Sequence, residues 1–390
     1  MNFVFISPHF PPNYIHFCSQ LRKLGVNVLG IGDAPFETLD NSLKKALTEY
    51  YYIPNMENYD DILRACGHFT HVYGRIDRIE SHNEHWLETD ARLRDDFNVF
   101  GIRSSDVQRI KFKSHMKEEF NKANVNVPRG YVVNSIEEGQ HLVQQVGYPI
   151  VAKPDKGVGA VGTYKIENEE QLQHFFSIKD KHPYMMQEYI EGKICSFDGL
   201  LNKNGEVVFY TVHQNCDNVM DIMHHNLHTA YYSLRHVDND IYDQAIKILN
   251  VLGLPERFFH LEFFRRPSGE LVVLEINMRP PGGLTLDMFN YANDIDIYKE
   301  WANVIVNNHF DAEYSRSYHC GYISRKFDRE YTYTHEQILH RYHNHIVHHT
   351  DLEPMYWKAM GHYAYLVRDP HLDKIFEIKN YVHQLGHSNI

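Results

Sequence analysis

Two neighbouring apolar strands that carry charged residues at alternating positions constrain the fold of this chain most. Residues 258–264 and 271–276 are joined by a short turn with the sequence Pro-Ser-Gly, as in a β-hairpin. Side chains on a strand alternate between two faces, and directly opposed residues of paired strands point the same way. The hairpin is therefore predicted to gather four polar side chains in one place: Glu262, Glu275, Asn277 and Arg279.

These side chains form a ligand set that suits a magnesium ion. Mg²⁺ prefers octahedral oxygen ligands, takes one or two protein carboxylates, and fills its other positions with water and substrate phosphate. Glu262, Glu275 and Asn277 supply such oxygens, and the planar fork of Arg279 suits a carboxylate or a transferring phosphoryl group. Residues 280–283, Pro-Pro-Gly-Gly, form a backbone that substrate can approach closely. A hairpin whose charged face merely meets water shows the same alternation.

A second signal is the strand 150–153, which ends in Lys153 and is followed by a glycine-rich loop. The loop does not have the Walker pattern. A strand-held lysine can meet the α- or β-phosphate of a nucleotide, and a mobile flap can fold over the triphosphate and shed water. An ordinary β-turn with surface lysines is the competing interpretation. The glycines of the predicted flap are Gly157, Gly159 and Gly162.

A third segment, 186–192, is an apolar strand that ends in acidic residues before Gly192. Its backbone could meet an adenine edge while its apolar side chains cover the ring. The segment has no diagnostic value by itself.

The first hundred residues alternate between strand and helix patterns. Strands are predicted at 2–7 and 26–31 with a helix at 14–24 between them, which is a parallel βαβ unit. Further predictions are helices near 42–47 and 59–66, a strand at 50–53 and an apolar run near 71–79. The Gly-Ile-Gly sequence at 30–32 lacks the third glycine of a dinucleotide fingerprint and is interpreted as a plain turn, which disfavours an NAD-dependent oxidoreductase. Residues 1–105 are predicted to form a doubly wound parallel α/β domain.

The middle of the chain is predicted to be α+β. Helices are expected near 114–123 and 135–146, a strand ending at 127–129, and then mostly strands to about residue 310. Residues 311–390 are rich in Tyr, His and Arg and contain a predicted strand at 363–368 and helix at 372–385. Pattern alone does not reveal the role of this last segment.

Composition excludes several classes of protein. The 390 residues carry a net charge of −12 with 39 Lys and Arg residues spread along the chain, which disfavours a nucleic-acid backbone as partner. No apolar run approaches the ~20 residues that cross a bilayer, and we expect neither export nor a membrane partner. Five scattered cysteines fit a reducing cytoplasm. The histidines clustered at 335–349 are interpreted as a solvated surface because their irregular spacing does not favour metal binding.

The three segments, in this order, resemble the ATP-grasp superfamily, most closely its carbamoyl-phosphate-synthetase and biotin-carboxylase-like branch, which includes amino-acid ligases. The resemblance covers roughly residues 1–290. It implies a preceding α/β domain at 1–105, an ATP-grasp domain at 106–310, and a C-terminal subdomain at 311–390 that completes or caps it. No biotin-carrier or glutaminase segment is recognisable, so free-standing ligation is favoured over carboxylation of biotin.

The resemblance also implies roles for individual residues. Lys113, ahead of a helix, matches the first phosphate-binding lysine and Lys153 the second. Gln187, Glu188, Tyr189 and Ile190 match the adenine-binding hinge. Glu262, Glu275 and Asn277 match the ligands of Mg²⁺ or Mn²⁺, and Arg279 matches the arginine that meets the reacting substrate. The sequence Ser-His-Asn-Glu at 81–84 resembles the family's loop near the substrate.

The function implied is an ATP-dependent carboxylate–amine ligase that forms an acyl phosphate and releases ADP and phosphate. Its partners would be a small carboxylic acid and an amine, and a homodimer is left open. Two alternatives stay open: an enzyme that activates bicarbonate, like a carboxylase or carbamoyl phosphate synthetase, and an ATP-binding regulator without activity. The acid and the nucleophile cannot be read from the sequence, because substrate-contacting side chains vary on a shared fold.

Overall fold

The computed structural model of the chain describes residues 1–157, 162–217, 222 and 226–386. Its strands are β1 Asn2–Ile6, β2 Asn27–Gly32, β3 Glu49–Tyr52, β4 Arg78–Glu80, β5 Gly130–Val133, β6 Ile150–Pro154, β7 Tyr164–Ile166, β8 Tyr184–Glu188, β9 Lys193–Leu201, β10 Val207–Asn215, β11 Ala230–Ser233, β12 Phe258–Arg265, β13 Leu271–Asn277, β14 His319–Arg325, β15 Ile346–Asp351 and β16 Tyr363–Asp369. Among these described residues, no helix has the length and apolar character needed to span a bilayer.

The helices alternate with strands at first and then cover the larger sheet. They are α1 Ile15–Lys23, α2 Asn41–Ala46, α3 Tyr59–Tyr73, α4 Leu87–Asp96, α5 Ser104–Lys111, α6 Lys113–Lys122, α7 Ile136–Val146, α8 Glu169–Ile178, α9 Asn239–Leu252, α10 Thr285–Asn293, α11 Ile297–Asn307, α12 His335–Tyr342, α13 Trp357–Met360 and α14 Leu372–His383.

The N-terminal region is a parallel four-stranded sheet of order β3-β2-β1-β4 with helices on both faces. Alternate residues of β1 belong to opposite cores: Phe3 and Phe5 pack with helices α1 and α2, whereas Val4 and Ile6 pack with α3 and α4. Strands buried on both faces read as continuous apolar runs, as β1 does. The predicted doubly wound parallel arrangement is confirmed.

A small antiparallel sheet of order β5-β8-β6-β7 follows. One of its faces packs against α7 and α8 through Ile150, Ala152 and Met186. Val151 is opposed to Gln187 across the β6–β8 pair, and Lys153 is opposed to Met185. Because side chains alternate along a strand, Val151, Lys153 and Gln187 lie on the other face.

The central element is an eight-stranded sheet of order β13-β12-β9-β10-β11-β14-β16-β15. On one face, Phe197, Phe259 and Val273 pack beneath helices α5, α6 and α9. The opposite face has a polar part and an apolar part. The apolar part, which includes Leu200 and Phe209, packs with α10, α11 and the N-terminal α1 in a single core. This shared core holds the N-terminal region against the large sheet.

The last third of the chain contributes strands to the same sheet, since β14 pairs with β11, and β16 pairs with both β14 and β15. The six histidines between 335 and 349 lie on α12, β15 and the turn between them, and each is exposed or half-buried. Their interpretation as a solvated surface is consistent with this position.

The structure corrects two local predictions and assigns the elements of a third segment. No strand ends at 127–129, because the backbone there is irregular and β5 begins only at Gly130. The apolar run near 71–79 is the end of helix α3 followed by the short strand β4. Gly30 and Gly32 belong to strand β2 and not to a turn. A Cβ on Gly30 would lie 3.1 Å from side-chain carbons of Leu47 and Tyr50, so glycine is needed there for close packing.

Candidate active site

A cavity of about 330 Å³ lies between the small sheet and the polar face of the large sheet. Strands β6 and β8 line one side, and strands β9 to β13 line the other. Most of the residues singled out from the sequence meet here: Lys113, Lys153, Gly157, Gln187, Glu188, Tyr189, Ile190, Glu262, Glu275, Asn277 and Arg279. The cavity therefore brings together residues that are up to 166 positions apart in the chain, from Lys113 to Arg279.

The two carboxylates of the hairpin are direct cross-strand neighbours. Glu262 of β12 is opposed to Glu275 of β13, and His260 is opposed to Asn277. The Asn277 side chain is buried and donates a hydrogen bond from Nδ2 to Glu275 Oε1 at 3.4 Å. Burial raises the pKa of Glu275, but Lys113 and Lys153 outweigh that effect and lower it overall. Glu275 is consequently an anion that faces two lysines.

The two lysines reach the acidic pair from different elements. Lys113, at the start of α6, places Nζ 3.6 Å from Glu275 Oε2 and donates a hydrogen bond to Gly157 O at 2.6 Å. Lys153, at the end of β6, is 7% exposed, and burial lowers its pKa to about 8 against the opposing attraction of Glu275. Within the residues that the structure describes, Lys153 Nζ has neither a hydrogen bond nor an ion pair.

Hydrogen bonds fix the start of the predicted flap to the start of helix α6. Asp155 accepts from the Ser114 backbone N–H and from Ser114 Oγ, both at 2.8 Å. The Lys113 N–H donates to Asp155 O at 2.9 Å. Gly162, at the far end of the flap, has a φ of 70°, a left-handed conformation that glycine adopts without strain. Gly159 lies outside the described residues.

The segment 187–190 contains the end of β8 and lines the cavity. Gln187 is buried, and Glu188 accepts hydrogen bonds from the Arg129 guanidinium at 2.9 and 3.2 Å. That ion pair joins the end of β8 to the residue directly before β5, the neighbouring strand in the sheet. The nearby cavity wall is apolar and consists of Val151, Ile190, Ile194, Phe264 and Leu274.

Arg279 follows β13 and lines the cavity next to the N-terminal region. Its Nη1 donates to Pro280 O at 2.8 Å, and its Nε lies 3.9 Å from Glu84 Oε2 of the N-terminal region. Burial raises the pKa of Glu84 against the attraction of Arg279. The C-terminal region reaches the same wall through Met360. This end of the cavity is therefore built by three distant parts of the chain.

The structure also places a hydrogen-bonded group in the cavity that the sequence did not predict. Asp198 of β9 is fully buried and accepts from Ser196 Oγ at 2.7 Å. Its carboxylate also contacts the Nδ1 atoms of two histidines, His213 on β10 at 2.7 Å and His260 on β12. Burial raises the pKa of Asp198, but the two histidines hold it well below its usual range.

His260 connects this group to the acidic pair, because its Nε2 lies 3.3 Å from Glu262 Oε1. Burial lowers the pKa of His260, but Asp198 and Glu262 outweigh that effect and raise it to about 10. The one sequence signal for the group is an aspartate in the middle of the apolar run 194–201, since a buried carboxylate requires partners.

Comparisons with known proteins identify one domain of the chain. Residues 146–287 match the family model of an ATP-grasp domain. The carbamoyl phosphate synthase large chain of Thermus thermophilus is 24% identical over 195 residues, which cover 46% of this chain and 18% of that protein. The chain thus spans only about a fifth of the length of the curated relatives it matches.

Solved structures show the same architecture over nearly the whole chain. An L-amino acid ligase from Bacillus licheniformis superposes with a TM-score of 0.75 at 13% identity and covers 100% of this chain and 99% of its own. The biotin carboxylase domain of a Hydrogenobacter thermophilus 2-oxoglutarate carboxylase, in complex with MgADP, ADP and bicarbonate, has a TM-score of 0.66 at 17% identity, covering 94% of this chain and 86% of its own.

The predicted resemblance is confirmed: residues 146–287 match an ATP-grasp domain, and the similar proteins include a carbamoyl phosphate synthase, an L-amino acid ligase and a biotin carboxylase domain. The fold class is confirmed as well, with a parallel N-terminal sheet followed by the antiparallel sheets of the ATP-grasp fold.

Proposed function

We propose that this protein is an ATP-dependent ligase that activates a small carboxylic acid as an acyl phosphate and transfers the acyl group to an amine. The observation that carries the proposal is the cross-strand pair of Glu262 and Glu275, which faces Lys113 and Lys153 in one cavity between two sheets. Paired carboxylates beside paired lysines match the two needs of a metal–triphosphate complex, namely anionic oxygens for the cation and ammonium groups for the phosphates.

The nucleotide lies along the cavity from segment 187–190 to the acidic pair. The apolar wall that includes Val151 and Leu274 accommodates the adenine ring, and the backbone of 187–190 provides hydrogen-bonding groups at its edge. Lys153 then meets the phosphates, since its buried ammonium group has no protein hydrogen bond among the described residues. Lys113 joins it from the start of α6. Ammonium groups held in a buried site stabilise phosphate charge far more than they would in water.

The acidic pair fits a magnesium ion. In the described part of the chain, no three side chains of the His, Cys, Asp or Glu type converge as a metal cage. Mg²⁺ does not require such a cage, because it retains water and takes phosphate oxygens as ligands. Glu262, Glu275 and the amide oxygen of Asn277 would hold the ion. When bound, the ion would supply Lewis-acid stabilisation of the charge on the transferring phosphate.

The acid substrate is placed at the Arg279 end of the cavity. The guanidinium has one short hydrogen bond, to Pro280 O, and a longer contact with Glu84, which leaves donors for a substrate carboxylate. A carboxylate oxygen attacks the γ-phosphorus of ATP, a carbon–oxygen–phosphorus linkage forms, and ADP leaves. The amine nitrogen then attacks the acyl carbon, and inorganic phosphate leaves with the carbon–oxygen bonding electrons. A closed site protects the acyl phosphate from water.

We also propose the domain division 1–105, 106–310 and 311–390. Strands β14 to β16 lie in the same sheet as the acidic pair, and Met360 lines the cavity. Both facts support a role for the last segment in completing the ATP-grasp domain.

An ADP-release screen tests the function. Carboxylic acids are crossed with amines, and Mg²⁺ is omitted in a parallel series. ADP release that needs both an acid and Mg²⁺, with amide as product, is the expected result. Release that depends on bicarbonate would point to a carboxylating enzyme, and nucleotide binding without turnover across the screen would point to an ATP-binding regulator.

The Glu275→Gln variant tests the metal assignment. We expect the loss of roughly 3 kcal/mol of transition-state stabilisation, about a 150-fold fall in ADP release, because one anionic ligand is removed. Glu270→Gln is the matched control, since Glu270 lies on the turn of the same hairpin with its side chain 45% exposed. Wild-type turnover by a folded Glu275→Gln protein would remove the metal assignment.

A further inference from the structure

His213 lines the cavity and, within the described part of the chain, has an unpartnered ring nitrogen. The side chain lines the cavity and is 3% exposed. Its Nδ1 contacts Asp198 Oδ2 at 2.7 Å, whereas its Nε2 is buried and has no hydrogen-bond partner among the described residues. An unsatisfied buried nitrogen costs free energy, so its presence in a binding cavity points to a ligand that satisfies it.

Asp198, the hydrogen-bond partner of Nδ1, determines whether Nε2 of His213 can accept a proton. Asp198 is an anion, because His260 and His213 hold its pKa well below the usual range against the effect of burial. A carboxylate only accepts hydrogen bonds, so Nδ1 of His213 carries the proton that is donated to Asp198. In the neutral ring the proton-free nitrogen is then Nε2, which accepts a hydrogen bond or a proton. Histidine bases oriented by a carboxylate have this arrangement on unrelated folds.

The register of the sheet shows where this base stands relative to the acidic pair. Glu262 on β12 is opposed to Ser196 on β9, and Ser196 is opposed to His213 on β10. The three residues and Glu275 thus form one cross-strand row on the same face. Adjacent strands lie ~4.8 Å apart, so the backbones at His213 and Glu262 are separated by about 10 Å. Ser196 lies between them, and the cavity above it would receive the acyl group and the incoming nucleophile.

We propose that His213 is the general base for the nucleophile, with Asp198 as its positioning residue; this inference rests on the proposed ligase function. The amine reaches the site as a free base and attacks the acyl carbon, so that a carbon–nitrogen bond forms while the carbonyl π electrons move to oxygen. His213 Nε2 takes a proton from the attached nitrogen. The carbonyl then re-forms, and phosphate leaves with the electron pair of the carbon–oxygen bond. The proton on His213 passes to solvent or to the departing phosphate.

The alternative is that His213 merely satisfies the buried Asp198. The two roles make different demands on the ring: a structural partner needs only the Nδ1 donor, whereas a base needs Nε2 as well. His213→Asn separates them, because an asparagine amide can donate to Asp198 from near the Nδ1 position but has no proton-accepting nitrogen. His213→Gln is made as well, since either substitution could disturb folding.

The test compares the reactions of the same acyl phosphate with two nucleophiles, hydroxylamine and the amine substrate. Hydroxylamine, a strong nucleophile that is uncharged at neutral pH, traps the intermediate as a hydroxamate and does not need a protein base. The amine substrate found in the ADP-release screen gives the amide. For both variants we expect hydroxamate formation close to the wild-type rate and a fall in amide formation of roughly 100-fold or more, the usual range for loss of a general base.

Controls separate the outcomes. Binding of an ATP analogue reports whether each variant is folded. His319→Asn is the matched control, because His319 lies on β14 of the same sheet, bonds through Nδ1 to Ser233 O at 2.9 Å, and does not line the cavity. Amide formation that is unchanged in a folded variant, or that falls together with hydroxamate formation, overturns the assignment of His213. Absence of hydroxamate from the wild-type protein overturns the ligase proposal itself.

Discussion

The depressed pKa of Lys153 predicts that nucleotide affinity falls as pH rises above neutrality. This pKa is about 8; burial is the largest cause of the decrease, and Lys113 and Lys117 act in the same direction. Glu275 and Glu262 act in the opposite direction but do not cancel these effects. The ammonium form attracts nucleotide phosphates and the neutral amine does not. At a pH where Lys153 of the free protein is neutral, nucleotide binding is therefore accompanied by uptake of a proton.

The size of the effect follows from linkage between protonation and binding. Bound phosphates raise the pKa of Lys153, so the affinity is fully present below the pKa of the free protein and is lost as pH rises through it. For a free pKa of about 8, the fraction of protonated lysine falls roughly 25-fold between pH 7.5 and 9.5. The expected loss of binding free energy is ~1.9 kcal/mol. The lowest pH of this range, 7.5, is above the second phosphate pKa of about 6, so the nucleotide phosphates stay ionised throughout.

Calorimetric titration with ADP in the presence of EDTA measures this effect, because no divalent cation then adds its own charge to the site. Lys153→Arg is the control: a guanidinium keeps its proton over the whole range, so its affinity, whatever its absolute value, should lose the steep dependence on pH. A flat wild-type profile between pH 7.5 and 9.5 would refute the reasoning, as would an equally steep profile for Lys153→Arg.

Two further predictions concern the core and the substrate end of the cavity. Trp301 is 1% exposed and packs edge-on against Phe3 and Phe17 at 5.6 and 4.8 Å, so Trp301→Ala should lower the free energy of unfolding by about 3–5 kcal/mol in denaturant titrations. Trp357→Ala, at a 39% exposed site, should cost much less, and equal losses would contradict this account of the core. Arg279→Lys keeps the charge but removes the planar fork, so kcat/KM for the acid should fall roughly 10- to 100-fold. An unchanged kcat/KM would show that the fork does not bind the acid.

The parts of the fold that could be predicted are those whose pattern is local. Strand β1 is a continuous apolar run, and helix α7 has apolar residues at helical spacing behind a Ser135 cap that accepts from Glu138 N–H. The long strand β9 was not predicted. It contains Asp198 and Gly199, both of which are unfavourable in strands taken alone. The glycine is needed because a Cβ there would lie 2.2 Å from Phe209 O on the next strand, a contact that only the assembled sheet reveals.

The same distinction applies to the site. Glu262 and Glu275 could be related because a short turn joins their strands and the two-residue period fixes their faces. His260 and Asp198 could not be related, because β9 pairs with both β10 and β12, and β12 is distant from β9 in sequence. Met360 of the C-terminal region also lines the cavity, and it is held there by a hydrogen bond from Tyr322 OH to Met360 O at 2.7 Å. Contacts of this kind depend on strand order, which a local pattern does not encode.

The charges of the cavity are balanced in the way that the proposed function requires of one buried site that serves both a cation and a polyanion. Lys113 and Lys153 balance Glu262 and Glu275, two positive charges against two negative ones, and the 3.6 Å contact between Lys113 and Glu275 is part of that balance. An isolated charge at this depth would cost several kcal/mol. In the proposed function, Glu262 and Glu275 would hold the metal ion, and Lys113 and Lys153 would face the phosphates of the nucleotide. The charges would then stay balanced before and after binding, so the site can be buried in advance and still bind a highly charged ligand.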